Sequence, residues 1–196
     1  MTSTREATKP VGVRRFAPPS LLAALLLVSL AVAADQRDQR LGPLFEILKT
    51  TDDRAAARAA EAEIWNIWID SGDSDVDGLM DEGVTAMGNG RFEDAIAIFG
   101  QIIERAPAFA EGWNKRATAY FLNEDYGSSV RDIQATLALE PRHFGAISGM
   151  GLIFLGRGDD KGALAAFEAV VAIHPNSPGA RQRIEELRKR TFERGA

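Results

Sequence analysis

The chain has 196 residues, of which 45% are hydrophobic and 26% charged, with a formal net charge of −5. That length suits one compact domain with additions, and an acidic chain without a basic stripe argues against nucleic acid as a partner, because phosphate binding needs clustered Lys and Arg. The absence of cysteine excludes disulfides, thiolate chemistry, Cys-based zinc sites and a lipid anchor on a signal cysteine.

Met1 to Arg15 is polar and net basic, and Leu21 to Ala34 is apolar except for Ser29. The apolar run is shorter than the roughly 20 residues a bilayer span needs, and it ends in the small-residue pattern Ala31-Val32-Ala33-Ala34. A basic start, a short apolar middle and a small-residue end predict a signal peptide over 1–34, cleaved after Ala33 or Ala34. The alternative is an uncleaved anchoring segment. Cleavage would leave an exported protein with no stable membrane span, periplasmic in a Gram-negative source.

The next stretch, 35–75, predicts a helical hairpin. Its first helix covers 36–49, with Leu41, Leu44, Phe45 and Leu48 on one side. The second covers 52–70, capped by Thr51 or Asp52. The end of the second, Ile64 to Ile69, is apolar nearly all round, so burial is expected. Trp65 and Trp68 are expected to pack on the first repeat, with a partner-binding knob as the sharper alternative.

From 76 to 177 the sequence repeats. Pro107, Pro141 and Pro175 stand 34 residues apart. At the same spacing Gly83, Ala117 and Gly151 are small, while Leu79, Trp113 and Ile147 are large and apolar. Ala95, Ser129 and Ala163 are small again, and Phe99, Ile133 and Phe167 large again. Small residues let two helices cross closely, large ones fill the seam, and the proline ends the second helix. First helices are predicted near 77–89, 110–123 and 144–157, second helices near 92–106, 126–140 and 160–174. Ser177-Pro178 opens a last helix as N-cap and first helical residue. Its apolar stripe is only Ala180, Ile184 and Leu187, as a solenoid-capping helix over 178–196 requires.

These columns resemble the tetratricopeptide-repeat (TPR) family, a 34-residue helix–turn–helix unit with the pattern W-x2-L-G-x2-Y, A-x3-F, P. Trp113-x2-Arg116-Ala117-x2-Tyr120 carries the first-helix part, and Ala95-x3-Phe99 and Ala163-x3-Phe167 the second. The resemblance implies an all-α, right-handed α-solenoid of three units, 76–109, 110–143 and 144–177. It also implies a concave groove lined by first helices, carried over by position to Met80, Val84 and Met87, then Asn114, Thr118 and Phe121, then Ser148, Leu152 and Leu155. A lining apolar at both ends with a small polar middle suits an apolar helix or extended segment. Some TPR domains hold a C-terminal carboxylate with Lys, Asn and Arg; the matching places here are Met80, Val84, Lys115, Gly145 and Gly149, so that clamp is absent. Where the family favours an aliphatic residue, this chain has Glu82, Arg116 and Met150; Glu82 and Arg116 are expected to pair between neighbouring first helices.

Candidates for chemistry are few. Asp73-Ser74-Asp75-Val76-Asp77-Gly78 resembles the start of a calcium loop, with Asp73, Asp75 and Asp77 as ligands, but the twelfth place, which needs a bidentate acid, is Val84. The alternative is a turn whose aspartates favour a helix N-terminus. His143 and His174 lie at unit boundaries and form no i, i+4 metal pair. No acid–base or nucleophile set and no cofactor motif can be assembled. The expectation is a non-enzymatic adaptor or scaffold that binds a protein or peptide in the cell envelope. A calcium-responsive exported protein, or an accessory subunit of an envelope enzyme complex, is the alternative.

Overall fold

The structure, a computed structural model, describes residues 38–195; the segment expected to be a signal peptide lies outside the described residues. Among the described residues there are nine helices and no strand: α1 Leu41–Thr50, α2 Arg54–Ile69, α3 Ser74–Gly88, α4 Phe92–Arg105, α5 Ala110–Leu122, α6 Tyr126–Leu139, α7 Phe144–Gly156, α8 Asp160–Ile173 and α9 Pro178–Gly195. Helix α3 packs on α4, α5 on α6 and α7 on α8, and successive hairpins stack through α4–α5, α6–α7 and α8–α9. This is an α-solenoid of helical hairpins.

The small–large columns have a direct steric meaning. A Cβ added at Gly83 would stand 2.4 Å from the Phe99 ring, and one at Gly151 would stand 2.9 Å from Phe167. The ring of the second helix therefore rests on the backbone of the first. In the middle hairpin, Ser129 donates from Oγ to the carbonyl of Ala117 at 2.8 Å, so that crossing is held by a buried hydrogen bond instead. Each hairpin turns on one residue in the left-handed region: Gly90 (φ 74°), Glu124 (φ 62°) and Gly158 (φ 72°), again 34 residues apart. Only the middle one carries a Cβ there, where glycine is the unstrained choice.

Helix α9 buries Ala180, Ile184 and Leu187 in a cluster with Phe167 and Val170. Its charged side faces water, so it covers the apolar end of the third hairpin.

The N-terminal hairpin departs from expectation twice. The cap of α2 is Asp53, whose carboxylate accepts the Ala55 N–H at 2.7 Å, rather than Thr51 or Asp52. The tryptophans do not pack on the first repeat. Trp68 stacks on His143 (centroids 4.2 Å apart, planes 10°) and lies 5.0 Å from Phe144; Trp65 meets Phe144 edge-on at 5.4 Å. The core shared by α1 and α2 draws on α7, α8 and α9 and contains no residue of α3 or α4, so the hairpin is not a further repeat stacked on the first. Polar contacts help hold it there: Asn176 donates to the Thr51 carbonyl at 2.8 Å, the Arg142 guanidinium sits 4.1 Å from the centre of the Phe45 ring, and Glu61 of α2 lies 3.4 Å from His174. The reason is available surface. Helix α7 carries no charged side chain, and Gly145 leaves room for an indole where any Cβ would come within 2.7 Å of Trp65.

Candidate functional site

The first helices of the second and third hairpins, α5 and α7, enclose a recess of about 180 Å³. Of the nine expected groove residues it brings together five: Asn114, Thr118, Phe121, Ser148 and Leu152, joined by Gly145, Gly149 and Ile133. Gly145 and Gly149 open the recess by removing side chains from one face of α7. Phe121 pairs edge-on with Tyr126 at 5.6 Å, and Leu152 remains partly in water.

The hydroxyls of the recess and the Asn114 amide nitrogen already donate within the protein. Thr118 Oγ1 donates to the Asn114 carbonyl at 3.0 Å, Ser148 Oγ to the Phe144 carbonyl at 2.8 Å, and Ser129 Oγ to Ala117. Asn114 Nδ2 donates to Glu111 at 3.0 Å. What remains facing the space is largely carbon.

The other four residues lie elsewhere. Met80 is buried in the cluster that joins α3 and α4 to Phe109 and Ala119 of the second hairpin, and Met87 packs against the same cluster; Met80 is therefore core rather than open lining. Val84 is exposed on α3 at 42%. Leu155 lines a separate depression with Arg183, Glu186, Leu187 and Arg190 of α9.

A buried polar group at the foot of α5 and α7 escaped the sequence reading. Glu111 is 1% exposed and accepts from His143 Nε2 at 2.9 Å and from Asn114, with Lys115 Nζ 3.1 Å away. His143 Nδ1 accepts the Ala146 N–H at 3.1 Å and so caps α7; Nε2 therefore carries the proton given to Glu111. Burial pushes the Glu111 carboxyl up, but His143 and Lys115 outweigh it and hold it below the usual carboxylate value. Lys115, the one basic residue at the clamp positions, is thus already engaged. Its partner sits four residues back, a spacing that signals a helical ion pair but not its burial.

The expected Glu82–Arg116 pair does not form. Arg116 instead makes a two-pronged bond to Asp132 of the same hairpin, 2.7 and 3.0 Å long, and lies 5.1 Å from the Trp113 ring centre, while Glu82 is exposed. The signal was present in the columns: Ile98, Asp132 and Ala166 are equivalent, so the middle unit alone is polar at both places, and Arg116 and Asp132 answer each other. His174 is at a unit boundary, as expected, and buried, with Nε2 3.4 Å from Glu61.

The stretch considered as a calcium loop is the start of α3. Asp73 is the N-cap and accepts from the N–H groups of Asp75 and Val76; Asp77 accepts from Ser71. Among the described residues no group of three or more His, Cys, Asp or Glu is disposed to hold a metal ion, and no helix is long and apolar enough to cross a membrane.

Known proteins resemble this arrangement. The family model described as tetratricopeptide repeat matches residues 80–133 and 115–178. A TPR repeat-containing protein of Rhizobium etli is 36% identical over 155 residues, 79% of this chain and 76% of that protein. Among solved structures, the Sgt2 TPR domain from Aspergillus fumigatus superposes with a TM-score of 0.58 at 26% identity, covering 63% of this chain and 83% of that one. The first TPR of Spaghetti, bound to the HSP90 peptide SRMEEVD, gives 0.57 at 21% identity over 61% of this chain and 96% of that one. With the repeat columns, the stacked hairpins and a matching relative along three quarters of its length, the chain belongs to the tetratricopeptide-repeat family.

Proposed function

We propose that the protein is an exported, non-enzymatic adaptor of three TPR units that binds a segment of a protein partner in the recess between α5 and α7. The observation that carries this reading is the recess itself. It is an apolar space on the first-helix face, with its hydroxyl donors spent on its own backbone and its rim residues Phe121 and Leu152 partly in water. Such a surface loses little by being covered and gains apolar burial. Export is supported by the basic–apolar–small pattern of residues 1–34.

The relative that binds the HSP90 peptide SRMEEVD holds an acidic segment. Here Lys115 is paired with Glu111, so a partner ending in a carboxylate finds no free cation at the clamp positions. The proposed partner is accordingly recognised by apolar contacts.

The test is capture from cell envelopes by the wild-type chain beside a Phe121→Asp/Leu152→Asp variant whose folding is checked by thermal melting. A partner retained by the first and lost by the second is expected; identical partners on both would overturn the groove reading. Export is checked by the N-terminal sequence of protein recovered from a periplasmic fraction, expected to begin at Ala34 or Asp35.

A further inference from the structure

The charges around the recess are arranged unevenly. Helix α7 has no charged residue. Helix α3 has four, Asp75, Asp77, Asp81 and Glu82, and no base. Asp77, Asp81 and Val84 share one helical side at i, i+4 and i+7 spacing, and Asp81 is exposed with no cationic partner among the described residues. Between these helices, the lysine of α5 is tied to Glu111 and its arginine to Asp132. A segment laid across α3, α5 and α7 thus meets a neutral apolar pocket at one end and uncompensated negative charge at the other.

We infer that the partner segment inserts one large apolar side chain (Leu, Ile, Met or Phe) between α5 and α7 and carries Lys or Arg on the side that faces α3. This rests on the groove reading and adds to it the chemistry and direction of the occupant. The recess accepts an uncharged side chain because its lining is largely carbon, and leaving a charged one unpaired there costs desolvation. The exposed acids of α3 reward positive charge and repel an acidic segment. Recognition is internal to the partner, since the one cation at the clamp positions, Lys115, is held by Glu111 and does not wait for a terminal carboxylate.

The experiment is selection of a phage-displayed random 12-residue peptide library on the full chain, followed by titration of the enriched sequences as synthetic peptides. The expected peptides share one apolar anchor with basic residues to one side. Anchor→Ala in the peptide, or Thr118→Trp or Leu152→Asp in the protein, weakens binding about tenfold or more. Asp81→Lys weakens it about fivefold, and added salt does the same. Amidating the peptide C-terminus changes nothing. Thr118 and Leu152 are both exposed, and thermal melting verifies that each variant folds. Peptides that are acidic, or that need a free C-terminus, yet are lost on Leu152→Asp would overturn the inference and keep the groove. Binding indifferent to both recess variants, or no enrichment at all, would remove the groove reading together with it.

Discussion

Glu124 occupies the left-handed turn position that glycine holds in the first and third hairpins. A Cβ there crowds the following carbonyl at about 1–2 kcal/mol, while glycine gives back part of that through the freedom of its unfolded chain. Glu124→Gly is therefore expected to stabilise the protein by about 0.5–1 kcal/mol, read from the midpoint of denaturant unfolding. Glu111 tests the opposite kind of site. Its carboxyl titrates below the ordinary value in the folded state, so its contribution is present above the unfolded pKa near 4.5 and is lost as pH falls through the lower folded value. Glu111→Gln should cost about 3 kcal/mol at neutral pH and should flatten the acid side of the stability profile below pH 4.5. Equal slopes for both proteins in that window would show that Glu111 does not drive the acid response.

At the level of elements, the six helices from α3 to α8 were legible in the sequence because one period reports two things at once, where helices cross and where they stop. Pro107, Pro141 and Pro175 each stand two residues beyond a helix end. The start of α3 came out earlier than expected because Asp73 is a cap and the aspartates after it belong to the first turn. The recess was half legible. Position along a repeat locates Asn114, Thr118, Phe121, Ser148 and Leu152, but cannot tell that Met80 turns into the core beside Phe99. The docking of the N-terminal hairpin was not legible. Periodicity tells which face of α2 is apolar; it is silent on which distant surface will cover it. That docking can be measured. Trp68 is 1% exposed and stacks on His143, so Trp68→Ala should cost about 4 kcal/mol and raise hydrogen exchange at the start of α7, 76 residues away in sequence. An effect confined to α1 and α2 would contradict the packing described.

For the whole molecule the hairpin changes what kind of object the solenoid is. Stacked repeats touch only their neighbours, so their stability is a sum along a line and their ends can fray. Here α1 is tied to the α8–α9 turn through Thr51 and Asn176, and one apolar cluster contains residues from Leu41 to Leu187. Loss of the third hairpin therefore uncovers the first two helices as well. Urea unfolding monitored by tryptophan fluorescence and by helical circular dichroism should give coincident single transitions. A chain lacking residues 38–70 should unfold over a broader range with a smaller m-value, monitored by circular dichroism alone. Separate transitions in the intact chain would show that the two ends are not coupled.

The same tie has a meaning in time. A ribosome finishes Trp68 about 120 residues before Leu187, which at roughly 5–20 residues per second is about 6–24 s of synthesis. Throughout that interval α1 and α2 exist without the surface that covers them, so whatever escorts the nascent chain must shield Trp65 and Trp68. A stop codon placed after α6 would leave that state permanent: damage at the end of the message would be suffered by α1 and α2, made long before it.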